Sequence, residues 1–204
     1  MILAGVASAG DGAKSLSRQA LQHCEEGREA TARDTRLAYF KEGQALGEQA
    51  VAADEQSADA HFALFCNLGE LLRLDGESLT SVFGLRRMMN ELDRALEIDP
   101  THIDALSAKG TLLVKLPGLL GGDSERGEQV LQHVIKRAPK AVNARLALAK
   151  VRCEHGNHQE AVALATDALS IARNDGRTTF VREAQTVLRK AQSHAAKTVY
   201  AVNR

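Results

Sequence analysis

The stretch VNARLALAKVRCEHGNHQEAVALATDALSIAR, Val142 to Arg173, reads as two short helices folded against each other, with Gly156-Asn157 as the turn. Apolar and small residues recur at helical spacing on both sides of that turn. Ala149, Ala161 and Ala168 fall where the two helices of a hairpin come closest. Such a hairpin is the unit of a helical repeat, and the rest of the chain can be tested against it.

Outward from this stretch the same helix-end pattern recurs. A small or aliphatic pair followed by a break ends at Glu55, Pro100, Pro139 and Arg173, with spacings of 45, 39 and 34 residues. Between these ends the apolar positions predict helices over about 14–29, 35–53, 58–73, 84–98, 103–115 and 124–138 before the opening pair. Asp99-Pro100 stops one of them, because proline cannot continue the hydrogen-bond ladder, and Thr101 is expected to cap the next. Ser124 is expected to cap the helix after the connector Leu116 to Asp123. A final helix over about 178–197 would cover the exposed end of the array.

Composition agrees with an all-helical chain. Aromatic residues make up 3% of 204, there is no tryptophan, and proline is held to three residues, a usage that favours helix over sheet. Lys+Arg and Asp+Glu both number 26, so the basic excess that draws a protein to phosphate is missing and nucleic acid is not expected as a partner. No run approaches the ~18 apolar residues of a transmembrane span. Cys24, Cys66 and Cys153 lie far apart, without zinc-site spacing, and read either as small buried apolar side chains or as one disulfide with a thiol left over. The start, MILAGVASAGDG, ends an apolar run in Ala7-Ser8-Ala9, the small-x-small form of a signal-peptidase site, but it is short and lacks a basic region. Residues 1–13 are therefore expected to be a flexible N-terminus, of the form that the remnant of a signal peptide would have. Export to the periplasm is the favoured localisation and the cytoplasm the alternative.

The repeat resembles the tetratricopeptide (TPR) family, whose period is 34 residues. Leu148-Ala149, Gly156, Ala161 and Ala168-Leu169 match its pattern, as do Leu106, Gly110, Gly122 and Pro139 in the preceding repeat. Arg145 stands where the family has a bulky residue, Arg173 replaces the closing proline, and Gly127 and Met88 occupy places where alanine is preferred. The longer periods carry insertions of five and eleven residues. The connector KLPGLLGGD, Lys115 to Asp123, is similar to one in the T-component of tripartite ATP-independent periplasmic (TRAP) transporters and in regulator of microtubule dynamics proteins. The resemblance implies a right-handed superhelical array of antiparallel helix pairs, a TPR-like α-solenoid. It would form one domain over 14–204, with about four pairs and a capping helix.

Little in the sequence carries chemistry. His155 and His158 flank Gly156, but no Asp or Cys joins them at ligand spacing, and no metal is expected. Gly118, Gly121 and Gly122 precede a helix without a Walker Lys-Ser/Thr or a strand, so they read as a connector needing positive φ rather than a phosphate loop. No catalytic constellation can be assembled, and no enzyme activity or cofactor is expected.

What remains is surface. In such an array the first helices of successive pairs line a concave face. The partner-binding candidates there are Asp59, Phe62 and Cys66, then Asp104, Ser107 and Thr111, then Asn143, Leu146 and Lys150. The family's clamp for chaperone C-terminal carboxylates uses Lys and Asn on this face. Phe62, Cys66, Ser107 and Thr111 stand there instead, so that specificity is not expected. The leading expectation is a noncatalytic protein-interaction scaffold that lays a protein or peptide segment in the groove. The alternative is an extracytoplasmic ligand-binding accessory of a transporter, with a small apolar molecule among Phe62, Phe65, Leu106 and the connector.

Overall fold

A computed structural model of the chain describes residues 4–75 and 81–202, with side chains over 11–74 and 83–195. Among these residues there are nine α-helices and no strand: α1 (Ala4–Glu29), α2 (Arg33–Ala53), α3 (Ala58–Asp75), α4 (Ser81–Ile98), α5 (Ile103–Lys115), α6 (Ser124–Arg137), α7 (Val142–Glu154), α8 (His158–Asn174) and α9 (Thr178–Val202). The backbone clusters into two compact units, Met1–Ala105 and Leu106–Arg204, where the sequence suggested one domain over 14–204. The N-terminal segment, expected to be flexible through residue 13, is helix from Ala4 onward. The insertion between Asp75 and Phe83 lies largely outside the described residues.

In the first unit α1 packs on α2 and α3, and α3 on α2 and α4. Each of these two helices thus touches both its hairpin partner and the equivalent helix of the neighbouring hairpin. Phe40 and Leu92, both fully buried, anchor this core, each removing apolar surface worth roughly 1.5–3 kcal/mol. Cys24 of α1 is disulfide-bonded to Cys66 of α3, with Cα atoms 6.3 Å apart. That settles the cysteine alternatives in favour of one disulfide, and leaves Cys153 as a buried thiol. Further along α3 from Cys66 are two buried polar groups. The Asn67 amide donates to the carbonyls of Ala20 and Ala63 at 2.8 and 3.0 Å, and the Glu70 carboxylate takes the Arg28 guanidinium at 2.7 Å.

In the second unit α7 packs on α6, α8 and α9, and α9 covers α8. Val142, Leu146, Ala149, Ala165, Ala168, Leu169, Ala172, Ala184 and Val187 form its core. Alanines dominate the contact because a methyl group lets two helix backbones approach while still excluding water. α7 and α8 end alike. Asn157 N–H donates to Arg152 O and Gly156 N–H to Cys153 O, while Arg177 N–H donates to Ala172 O and Gly176 N–H to Arg173 O. Both are Schellman caps, and the glycine in each holds a left-handed φ, 81° at Gly156 and 67° at Gly176. The turn that organised the sequence is therefore a glycine cap, repeated one helix later.

Two caps differ from expectation. Thr101 does not cap α5: its N–H and hydroxyl both donate to Asp99 Oδ1 at 2.8 Å, and the His102 ring accepts from Ala105 N–H instead. At α6 the cap is Asp123, whose carboxylate accepts from Arg126 N–H at 3.0 Å, rather than Ser124. In each case the residue one place away has the side chain with the right reach to the third amide of the helix.

Candidate binding face

The first helix of the second pair, α3, is mostly buried, and keeps Asp59 exposed and Phe62 and Phe65 half-buried. Phe62 is half-buried and stacks on Phe65, with ring centroids 5.8 Å apart, and on the His102 ring at 5.1 Å. His102 accepts from Ala105 N–H through Nδ1, so Nε2 carries the proton and donates to the Asp59 carboxylate at 3.1 Å. Asp59 and Asp104 are exposed. The result is a platform of two phenyl rings and an imidazole, with the exposed Asp59 carboxylate at its edge. His61, on the same helix, is held between Glu91 Oε2 at 2.6 Å and the Glu55 carbonyl at 3.1 Å, which ties α3 to α4.

Three of the nine residues expected to line the face do not reach it. Cys66 is spent in the disulfide and 6% exposed, Ser107 is 2% exposed, and Leu146 is 2% exposed within the core of the second unit. Helical spacing places a residue on a side of its helix, but the next helix decides whether that side is covered. In the second unit Asn143, Thr111 and Lys150 are half-buried. The Thr111 hydroxyl donates to the Ser107 carbonyl at 2.7 Å, and Lys150 Nζ meets Glu183 of α9 at 2.5 Å. A partner carboxylate reaching Lys150 would have to displace Glu183.

Arg145, the departure at the bulky family position, is buried. Desolvation pulls its guanidinium below the ordinary arginine value, the Asp167 charge opposes this, and its Nη1 donates to the Ala141 carbonyl at 3.2 Å. In the connector, Gly118–Leu120 is a single 3-10 turn, and Gly121 at φ 87° returns the chain to Asp123, whose N–H donates to Leu113 O at 2.9 Å. The glycines serve this turn, and the turn leaves Leu119 fully exposed.

The histidines beside Gly156 part company. His155 Nδ1 turns to Glu128 at 3.2 Å, within an ion-pair network in which Arg152 also meets Glu128 at 2.7 Å and Glu160 at 3.1 Å. His158 turns instead toward Cys153 and His194, and one ligand atom from each of these three residues lies within 4.8 Å of the other two. The sequence expectation that no cysteine joins His158 is thereby corrected. The spacing Cys153-x4-His158 was visible; His194, on another helix, was not.

No protein-family model and no curated protein sequence matches the chain. Among solved structures, a thermophilic TPR protein of Thermus thermophilus superposes with a TM-score of 0.57 at 22% identity, covering 76% of this chain and 78% of that one. The fold is of the tetratricopeptide type. YrrB, a TPR protein with an unusual peptide-binding site, aligns over 82% of this chain and 84% of its own at 16% identity, with a TM-score of 0.44. The TPR likeness accounts for the helix order and for contacts between alternate helices. Among the described residues no helix is long and apolar enough to cross a membrane.

Proposed function

We propose that this TPR-type protein is a noncatalytic interaction scaffold that works in an oxidising, extracytoplasmic compartment and holds a partner segment against α3. The observation that carries this reading is the platform of Phe62, Phe65 and His102 with Asp59 at its edge. A partner chain laid across it would bury the remaining aromatic surface, each apolar anchor contributing roughly 1.5–3 kcal/mol before ordering costs. The exposed Asp59 carboxylate favours a basic residue beside that anchor. Export is supported by the Cys24–Cys66 disulfide, since such bonds persist in oxidising compartments and are rare in the cytosol.

The same disulfide favours a second reading, an accessory of a transporter like the periplasmic T-components, holding a small apolar molecule. Pull-down with the wild-type chain, Phe62→Ala and Lys150→Glu separates the two. Loss of a bound protein on Phe62→Ala supports the scaffold, and recovery unchanged by either substitution overturns it. Native mass spectrometry showing a copurified small molecule supports the second reading.

A further inference from the structure

We propose that Cys153, His158 and His194 form a binding site for a late first-row divalent metal, with Zn²⁺ as the best-matched ion. Cys153 lies in the last turn of α7, His158 is the first residue of α8, and His194 lies well along α9. The site thus joins three helices, and the Gly156 cap sets its geometry. The Schellman turn reverses the chain in three residues and returns His158 toward Cys153.

The donor set is one thiol and two imidazoles, which suits zinc and copper and does not suit the oxygen-seeking Mg²⁺ or Ca²⁺. Cys153 Sγ and His194 Nδ1 are 3.6 Å apart. A tetrahedral zinc with Zn–S of about 2.3 Å and Zn–N of about 2.0–2.1 Å needs an S to N edge of ~3.5 Å. The two imidazoles meet edge to face with centroids 5.3 Å apart, and all three ligand atoms fall within 4.8 Å of one another, so small rotations of the half-buried rings close the set.

Three further observations point the same way. The Cys153 thiol is 4% exposed, packed with Ala161, Ala191 and Val162. His158 Nδ1 is buried with no hydrogen-bond partner. His155, the other imidazole at the turn, is engaged by Glu128 outside the cluster. The negative end of α7 and the positive end of α8 meet here, so the helix dipoles offset and selectivity falls to the ligands. With three protein ligands, a fourth position stays open to water or to a donor from a bound partner. The bound ion would tie α9 to the α7–α8 hairpin.

The test uses the full chain, freed of metal by chelation under conditions that keep the Cys24–Cys66 disulfide. Zn²⁺ binding is measured by calorimetry, and Co²⁺ serves as a reporter of thiolate ligation. One equivalent bound, a thiolate-to-cobalt charge-transfer band, and affinity at least ~10-fold weaker in both Cys153→Ser and His194→Ala are expected. His155→Ala should bind as wild type. His194 is half-buried, so its removal leaves the fold intact by circular dichroism; that variant decides the matter should Cys153→Ser misfold. Zinc binding unaffected by His194→Ala, a cobalt spectrum without the thiolate band, or no saturable binding overturns the proposal.

Discussion

Cys24 and Cys66, 42 residues apart in sequence, are joined across the interface of α1 and α3. The bond closes a loop that contains all of α2, so cutting it releases a large denatured ensemble. The chain-entropy account gives about 4 kcal/mol for a loop of this length. Cys24→Ser is expected to lower unfolding stability by about 2–4 kcal/mol, read from urea midpoints, and reduction of the wild type should do the same. Thiol titration of the unreduced, unfolded chain should find one reactive cysteine, Cys153.

Arg28 and Glu70 form a further tie between α1 and α3. The Glu70 side chain is 2% exposed and the Arg28 side chain 33% exposed, with Arg73 a more distant partner at 3.5 Å. Removing the cation strands a carboxylate away from water. Arg28→Ala should cost about 3 kcal/mol, and adding Glu70→Gln to it should recover part of that, because the amide has no charge to desolvate. Stability of the two single mutants and the double mutant by denaturant unfolding measures the coupling.

Gly127 stands where the family favours alanine, and its surroundings explain why. A Cβ there would lie 2.9 Å from the Gly110 carbonyl oxygen and 2.9 Å from Leu113 Cβ, while a Cβ on Gly110 would meet Leu131 and the Gly127 carbonyl. Two glycines thus let α5 and α6 approach closely. Alanine would gain up to about 1 kcal/mol of helix propensity but lose about 1–3 kcal/mol to overpacking, so Gly127→Ala should lower Tm by about 2–4 °C. Gly12→Ala, in α1 with nothing within 4 Å of the added methyl, should raise it.

Glu48 titrates below the ordinary glutamate value because Gln44 donates to its carboxylate at 2.8 Å and Arg87 adds a second hydrogen bond and a positive charge, with burial opposing both. A depressed folded value stabilises the chain above the unfolded glutamate range, and that contribution is lost as pH falls through the folded value. The pair is exposed on both sides, 48% and 41%, so the effect on stability stays below about 1 kcal/mol. Carboxylate NMR titration should show Gln44→Ala raising the Glu48 value more than any exposed neighbour does.

The helices and their breaks were legible in the sequence. Helical spacing is a local signal, and Pro100, Gly156 and Asp175-Gly176 end helices through their own backbone chemistry. The alanines of the opening hairpin were legible too, and Ala149, Ala161 and Ala168 are all fully buried. Caps were less so: choosing Asp123 over Ser124, or His102 over Thr101, depends on a shift of one residue in where the helix begins.

The binding face was only partly legible. Asp59, Asp104 and Phe62 keep an exposed or half-exposed side, whereas Cys66, Ser107 and Leu146 share their spacing and are covered. What determines that difference is the rotation of each helix about its axis, set by every side chain packed along its length. The same rotation chose Cys24 for Cys66 among three cysteines and brought His194 to Cys153 across 41 residues. The sequence by itself determined the helices and their order, because those follow from neighbours along the chain. Only the tertiary structure decided which thiol bonds, which face stays open and which histidines meet, because those pairings depend on contacts between residues tens of positions apart.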